Sequence, residues 1–159
     1  MAYDISNFNW YNFWVLDHWC WKDEAGPTAF TIAAEHRGQA SEVAVLLSVS
    51  GKIDRNALPA ETSELPLYEL TVANGSPCRT RINTRADLER FRVAYQELLG
   101  RIRRDHPGAE AVHLFAAVPA PVAVTCGREV LRKIDPVIHV YDFEKVASRY
   151  VYALKVNEK

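Results

Sequence analysis

From Glu42 onward, apolar runs of strand length alternate with polar, turn-rich stretches. Glu42 to Val49 (EVAVLLSV) is almost continuously apolar, as expected of a central strand buried on both faces. It ends in the small, polar run Ser48-Val49-Ser50-Gly51-Lys52. Asp54 to Pro66 is polar, contains Pro59 and Pro66, and reads as loop. In Leu67 to Val72 (LYELTV), Tyr68, Leu70 and Val72 alternate with other positions, the period of a strand. Asn74-Gly75-Ser76-Pro77 is a strong turn signal. Thr84 to Asp105 carries Leu88, Phe91, Tyr95, Leu98, Leu99 and Ile102 at helical spacing. Thr84 with Asp87 gives a variant of the capping box at its start, and His106-Pro107-Gly108 ends it. Val112 to Val118 is a strand, and Ala120 to Leu131 a helix with Pro121 in its first turn. Val137 to Tyr141 and Tyr150 to Val156 are further strands. Upstream, Ala25-Gly26-Pro27 and His36 to Gln39 read as turns around a short strand at Phe30 to Glu35. Strand-helix-strand units joined by short turns predict a Rossmann-like α/β structure, a mostly parallel sheet with helices on both faces.

The segment Phe8 to Trp21 follows neither pattern. It holds Phe8, Trp10, Tyr11, Phe13, Trp14, Trp19 and Trp21, and thus all four tryptophans of the chain. Side chains of this size must bury against something: one end of the sheet, or another domain or chain.

Composition narrows the class. The 159 residues suffice for one domain with a real core. A net charge of -1 argues against long DNA or RNA, which favours a clearly basic protein, yet leaves room for a small anion at one local positive site. Cys20, Cys78 and Cys126 are far apart and odd in number, which points to reduced thiols in the cytoplasm rather than a disulfide framework or a zinc site. No signal peptide is visible, and no apolar stretch reaches the roughly 20 residues that span a bilayer.

Catalytic motifs do not emerge. H-E-x-x-H, G-x-S-x-G, the Walker loop and G-x-G-x-x-G are all missing from the sequence. Of His18, His36, His106, His113 and His139, the pair His113 and His139 lies inside apolar strands, where a satisfied sheet histidine is the simpler reading. Asp142 follows Tyr141 at the end of an expected strand, a place for a catalytic carboxylate or an ordinary loop acid. The residues favour a binding module over an enzyme. Two strand ends lead into small or Pro-rich loops, at Ser48 to Lys52 and at Ala116 to Pro121, and a parallel sheet places both on one rim. Ser48 and Ser50 can hydrogen-bond a ligand, Gly51 allows close approach, Lys52 adds charge, and Arg128 stands further along the second helix. The helix start after Pro119 is expected to offer unpaired N–H groups to an anion.

These stretches resemble a known family. EVAVLLSVSG (residues 42–51), PLYEL (66–70), FRVAYQELLGRIRRDHP within 88–107, VHLFAAVPAPVAVTCGR (112–128) and PVIHVYDF (136–143) are similar to the carboxyl-terminal half of a SAVED domain. The most specific element is HLFAAVPAP-x-A-x-x-x-GR followed by VYD. The resemblance spans roughly Phe30 to Val156 and implies a CARF-like SAVED half domain at 29–159, with the aromatic-rich segment at 1–28 ahead of it. It implies a sensor of bacterial antiphage defence, in CBASS or type III CRISPR systems. Such a sensor binds a cyclic oligonucleotide, usually adenine-containing, assembles on binding, and switches on a fused or partnered effector. It implies no catalytic residue, no metal and no cofactor. The ligand rim carries over onto Ser48, Ser50, Gly51, Lys52, Pro119, Ala120 and Pro121. The implied partner is a second SAVED or CARF-like half or an effector-bearing chain, with no long nucleic acid and no membrane. The half resembled here is a separate subunit, a homo-oligomer that rebuilds the cleft, or a fragment of a longer protein. Two other readings stay open: a partner-binding half without ligand, and a ring nuclease that cleaves the messenger.

Overall fold

The computed structural model describes residues 28–35 and 38–158, so the aromatic segment, Cys20, His18 and His36 lie outside the described residues. Six strands form one sheet: β1 (Phe30–Glu35), β2 (Glu42–Ser48), β3 (Leu67–Val72), β4 (Ala111–Ala117), β5 (Val137–Glu144) and β6 (Arg149–Val156). The spatial order is β1-β3-β2-β4-β5-β6. β3, β2, β4 and β5 run parallel, while β1 and β6 close the edges antiparallel to β3 and β5. Two helices join them, α1 (Arg85–Asp105) and α2 (Ala120–Glu129). The α/β, Rossmann-like class is the one the hydrophobic pattern predicts.

α1 forms where its apolar spacing and its cap agree. The Thr84 hydroxyl accepts the Asp87 N–H at 3.1 Å, and the Asp87 carboxylate accepts the Thr84 N–H at 3.1 Å, a complete capping box. Phe91, Tyr95, Leu98, Leu99 and Ile102 are buried along one stripe. Each such side chain contributes about 1.5–3 kcal/mol on leaving water.

One feature differs from the expectation. Both α-helices pack on the same face of the sheet, in one core with Val43, Val45, Leu47, Val112 and Leu114. On the opposite face Ala44, Leu46, Phe115, Tyr141 and Tyr150 cluster with Ile53 and Ala57, from the connection between β2 and β3. That connection holds two short 3-10 turns, Arg55–Ala57 and Ala60–Thr62, and among the described residues no α-helix covers this face. Pro59 and Pro66 break the segment, and the Asp54 side chain, which accepts the Asn56 N–H at 2.9 Å, favours a turn over a helix ahead of them.

At the far edge, Val140 pairs with Leu154 but Tyr141 pairs with Tyr152, so β6 carries one extra residue, Ala153. This bulge lets Tyr150 and Tyr152 face Tyr141 while Val156 returns to the helix-covered side.

Candidate functional site

The chain leaves β2 toward one edge of the sheet, into β3, and leaves β4 toward the other, into β5. The carboxyl ends of β2 and β4 therefore flank a topological switch point, where open α/β sheets place their ligands. The two loops meet there. Ser48 is in register with Ala117, and the N–H groups of Val49 and Ser50 both donate to the Ala117 carbonyl, at 3.2 and 2.7 Å. Gly51 borders open space, since a methyl group added there meets nothing within 4 Å.

The rim residues differ in what they present. Ser48 is fully buried: its hydroxyl donates to Glu69 Oε1 at 2.7 Å and accepts the Ile53 N–H at 3.4 Å. Its carbonyl accepts the Thr71 hydroxyl at 2.9 Å. Ser48 therefore shapes the loop, and its hydroxyl does not face a ligand as the sequence reading expected. Ser50 and Gly51 are partly exposed and Lys52 is exposed. Lys52 lines a hollow of about 560 Å³ with Ile53, Asp54, Arg55 and Glu69, on the β3 side of β2 and apart from the Pro119–Pro121 loop. Arg55 is tethered there, 2.6 Å from Glu35 and 3.8 Å from Glu69.

The start of α2 is poorer in donors than expected. Pro119 caps it without a side-chain bond, and neither Pro119 nor Pro121 has an N–H. The Val122 and Ala123 amides bond the Pro119 carbonyl at 3.0 and 3.2 Å. Ala120 alone in this turn keeps an N–H free of a partner among the described residues. The turn is thus a small, mostly apolar ledge with one donor. Arg128 is exposed in the last turn of α2, eight residues from Ala120, so about 12 Å of helix separates it from the rim. It is not brought to the site.

The loop after β3, read as a plain turn in the sequence, leads from this same edge of the sheet into α1 with Arg79, Arg81 and Arg85. Arg81 Nε donates to the Ser76 carbonyl at 2.9 Å, and Arg79 and Arg85 are exposed. The run Arg79-x-Arg81-x-x-x-Arg85 was the available signal.

The histidines serve the sheet. His113 is buried between Tyr141, whose hydroxyl lies 2.9 Å from Nδ1, and Glu42, 2.9 Å from Nε2. His139 stacks on His113 at 5.3 Å, and partial burial, helped by the neighbouring His113 and Lys155, pushes its pKa down. His113 stands four residues before Ala117, about 13 Å down the strand from the rim. His106 is also buried, its Nε2 3.0 Å from the Tyr68 hydroxyl. Asp142 is exposed within β5, which runs on to Glu144 rather than ending at Tyr141. Cys78 and Cys126 are free thiols, and burial pushes the Cys126 thiol up to about 12. Among the described residues no group of three or more His, Cys, Asp or Glu side chains is placed to hold a metal ion. None of their helices is long and apolar enough to cross a membrane.

The model of the SAVED family, the SMODS-associated and fused to various effectors sensor domain, matches residues 3–156. The chain belongs to the SAVED family. The match includes the aromatic segment that precedes β1. The SAVED fold is shared with a SAVED/CARF-domain containing receptor, Cap4 of Acinetobacter baumannii. Its structure with the cyclic trinucleotide 2'3'3'-cAAA superposes with a TM-score of 0.61 at 20% identity, covering 87% of this chain and 29% of that one. Its structure with 3'3'3'-cAAA gives 0.60 at the same identity and coverage, and a further structure of the receptor gives 0.56 over 80% of this chain and 25% of that one. This SAVED chain thus spans under a third of the length of those receptors. No curated protein matches it.

Proposed function

We propose that this SAVED chain is the sensing part of a cyclic-oligonucleotide receptor, seated at the switch point between β2 and β4. The observation that carries this reading is that the loops after β2 and β4 meet, the Val49 and Ser50 N–H groups donating to the Ala117 carbonyl, with open space at Gly51. The family's sensor description and the cyclic trinucleotides in the Cap4 structures support it. In this reading the Pro119-Ala120-Pro121 ledge packs against a sugar or a base, with the Ala120 N–H as its donor. Lys52 supplies the charge for a phosphate. The ring is adenine-containing and spans this chain and a second SAVED or CARF-like half or an effector-bearing chain. Assembly follows because the ligand binds the assembled state more tightly than the free one. The setting is the bacterial cytoplasm, in antiphage defence of the CBASS or type III CRISPR kind. Binding without cleavage is the favoured role, because the histidine of the Glu42–His113 pair stands about 13 Å down the strand from the rim.

Calorimetry of the 159-residue chain with cyclic di-, tri- and tetranucleotides tests this. Saturable heat is expected for at least one ring, recovered intact. Lys52→Ala should weaken that binding by about 1–3 kcal/mol, the worth of a charged hydrogen bond. Heat from none of the rings, with the chain folded and a SAVED-half partner present, sinks the receptor reading. Unchanged affinity in Lys52→Ala removes Lys52 from the site.

A further inference from the structure

The hollow beside Lys52 has a chemistry of its own. Its volume of about 560 Å³ lies in the range of small-ligand sites, roughly 300–1,000 Å³. Its lining combines an exposed cation, Lys52, a tethered cation, Arg55, the exposed Asp54, the buried side chain of Ile53, and Glu69. Glu69 stands out. Its side chain is only 17% exposed. One oxygen, Oε1, is occupied by the Ser48 hydroxyl at 2.7 Å. The other, Oε2, lies 3.8 Å from Arg55 Nη2, beyond hydrogen-bond length, and accepts no hydrogen bond from the described residues. Lining the open hollow beside the Arg55 guanidinium, this oxygen is available to a ligand that brings a donor.

A cation alone would meet Lys52 and Arg55. A simple anion would meet Glu69 and Asp54. The lining suits a molecule that carries a neutral N–H donor edge and a negative group on the same frame, which a nucleotide with an amino-bearing base does. An exocyclic amino group of adenine, guanine or cytosine can donate to Glu69 Oε2 while the phosphate turns toward Lys52. Uracil fits poorly, because its N–H lies between two carbonyl oxygens that would face the carboxylate. We propose that Glu69 is a specificity-determining residue that selects rings whose base carries an exocyclic amino group. This inference rests on the receptor reading above and deepens it. Ser48 acts as a positioning residue: it occupies Oε1 and thereby leaves Oε2 to the ligand.

The test compares ring pairs that differ only in the base. Affinities of the wild-type chain are measured for cyclic di-, tri- and tetra-adenylates, for the matching all-uridine rings, and for rings in which purine replaces adenine and so lacks the amino group. The expected result is a loss of about tenfold or more on removing the amino group, with no mutation involved. Glu69→Gln, checked for folding by its thermal melt, should narrow the adenine-to-uridine ratio to about threefold or less, because its amide can also donate to a uracil carbonyl. Lys52→Ala should weaken adenine and uridine rings by the same factor. Equal binding of adenine and purine rings by the wild type overturns the role of Glu69, as does an unchanged adenine-to-uridine ratio in a folded Glu69→Gln. Absence of binding to every ring instead overturns the receptor reading itself.

Discussion

Asp87 shows how much one side chain can organise. It is fully buried and accepts from the Thr84 N–H and hydroxyl at 3.1 and 2.8 Å, from the Asn83 N–H at 3.3 Å and from the Thr28 N–H at 3.4 Å. It thereby ties the approach to β1, the loop after β3 and the start of α1 into one node. Burial pushes its carboxyl up, but the donors from Thr84, Asn83 and Thr28 outweigh burial and hold it below the ordinary range. A depressed folded pKa stabilises the fold above the unfolded value of about 3.9, and that stability is lost as pH falls through the folded pKa. Asp87→Asn should therefore cost about 1–3 kcal/mol at pH 7. The deficit relative to wild type should begin to shrink below about pH 4, where the unfolded carboxyl takes up its proton, and should close only as pH falls through the lower folded pKa. Urea midpoints of both proteins at pH 7 and pH 3 measure this, and a gap of constant size would show that the charge of Asp87 contributes nothing.

At the scale of elements, α1 displays its logic in its two faces. Leu98 is fully buried in the core, while Val93, on the same helix, is 54% exposed. Leu98→Ala should cost about 2–5 kcal/mol, lost burial plus the cavity left behind. Val93→Ala should change stability by less than about 0.5 kcal/mol, because it sits on the surface and alanine is the better helix former. Chemical denaturation of the two variants distinguishes them, and comparable losses would mean that the helix presents another face to the sheet. This stripe was legible because helical spacing and the Thr84–Asp87 cap are local signals. The same holds for β2, whose continuous apolar run marks a strand buried on both faces. The antiparallel direction of β1 was not legible, because its pairing with β3 is decided by the path of the chain and not by its own alternation. Nor were the 3-10 turns at Arg55–Ala57 and Ala60–Thr62, which are too short to show a period. Glu69 escaped for a related reason. Alternation in LYELTV assigns it to a polar face, and only the tertiary placement of Lys52–Arg55 beside it makes the hollow. The proline content of the α2 start was visible in the sequence, but its consequence, a turn stripped of donors, depends on which amides the helix itself consumes.

For the molecule as a whole, the decisive property is polarity along the strands. One end of the sheet gathers the loops after β2, β3 and β4, with Lys52, Arg79, Arg81, Arg85 and the Pro119 ledge. Toward the other end lie Glu42, His113 and His139, and Arg128 closes α2 away from the rim. A ring bound at the proposed switch-point site should leave its mark at one end of the sheet only. Amide hydrogen exchange, followed with and without a saturating ring, reads that polarity directly. Amides in Val49–Arg55 and Val118–Val122 should slow, because ligand contacts there add to the free energy of local opening. At 100 times the dissociation constant the whole fold gains about 2.7 kcal/mol, so globally exchanging core amides slow uniformly and serve as the baseline. Residues near Glu42 and His113 should show no slowing beyond that baseline. Extra protection concentrated at Glu42, Val43 and His113 would move the ligand to the opposite end of the sheet and detach it from the switch point. Geometry sets this expectation: a ligand that spans two halves must touch each where its strands end, since there loops from strands diverging to either side leave a crevice for it.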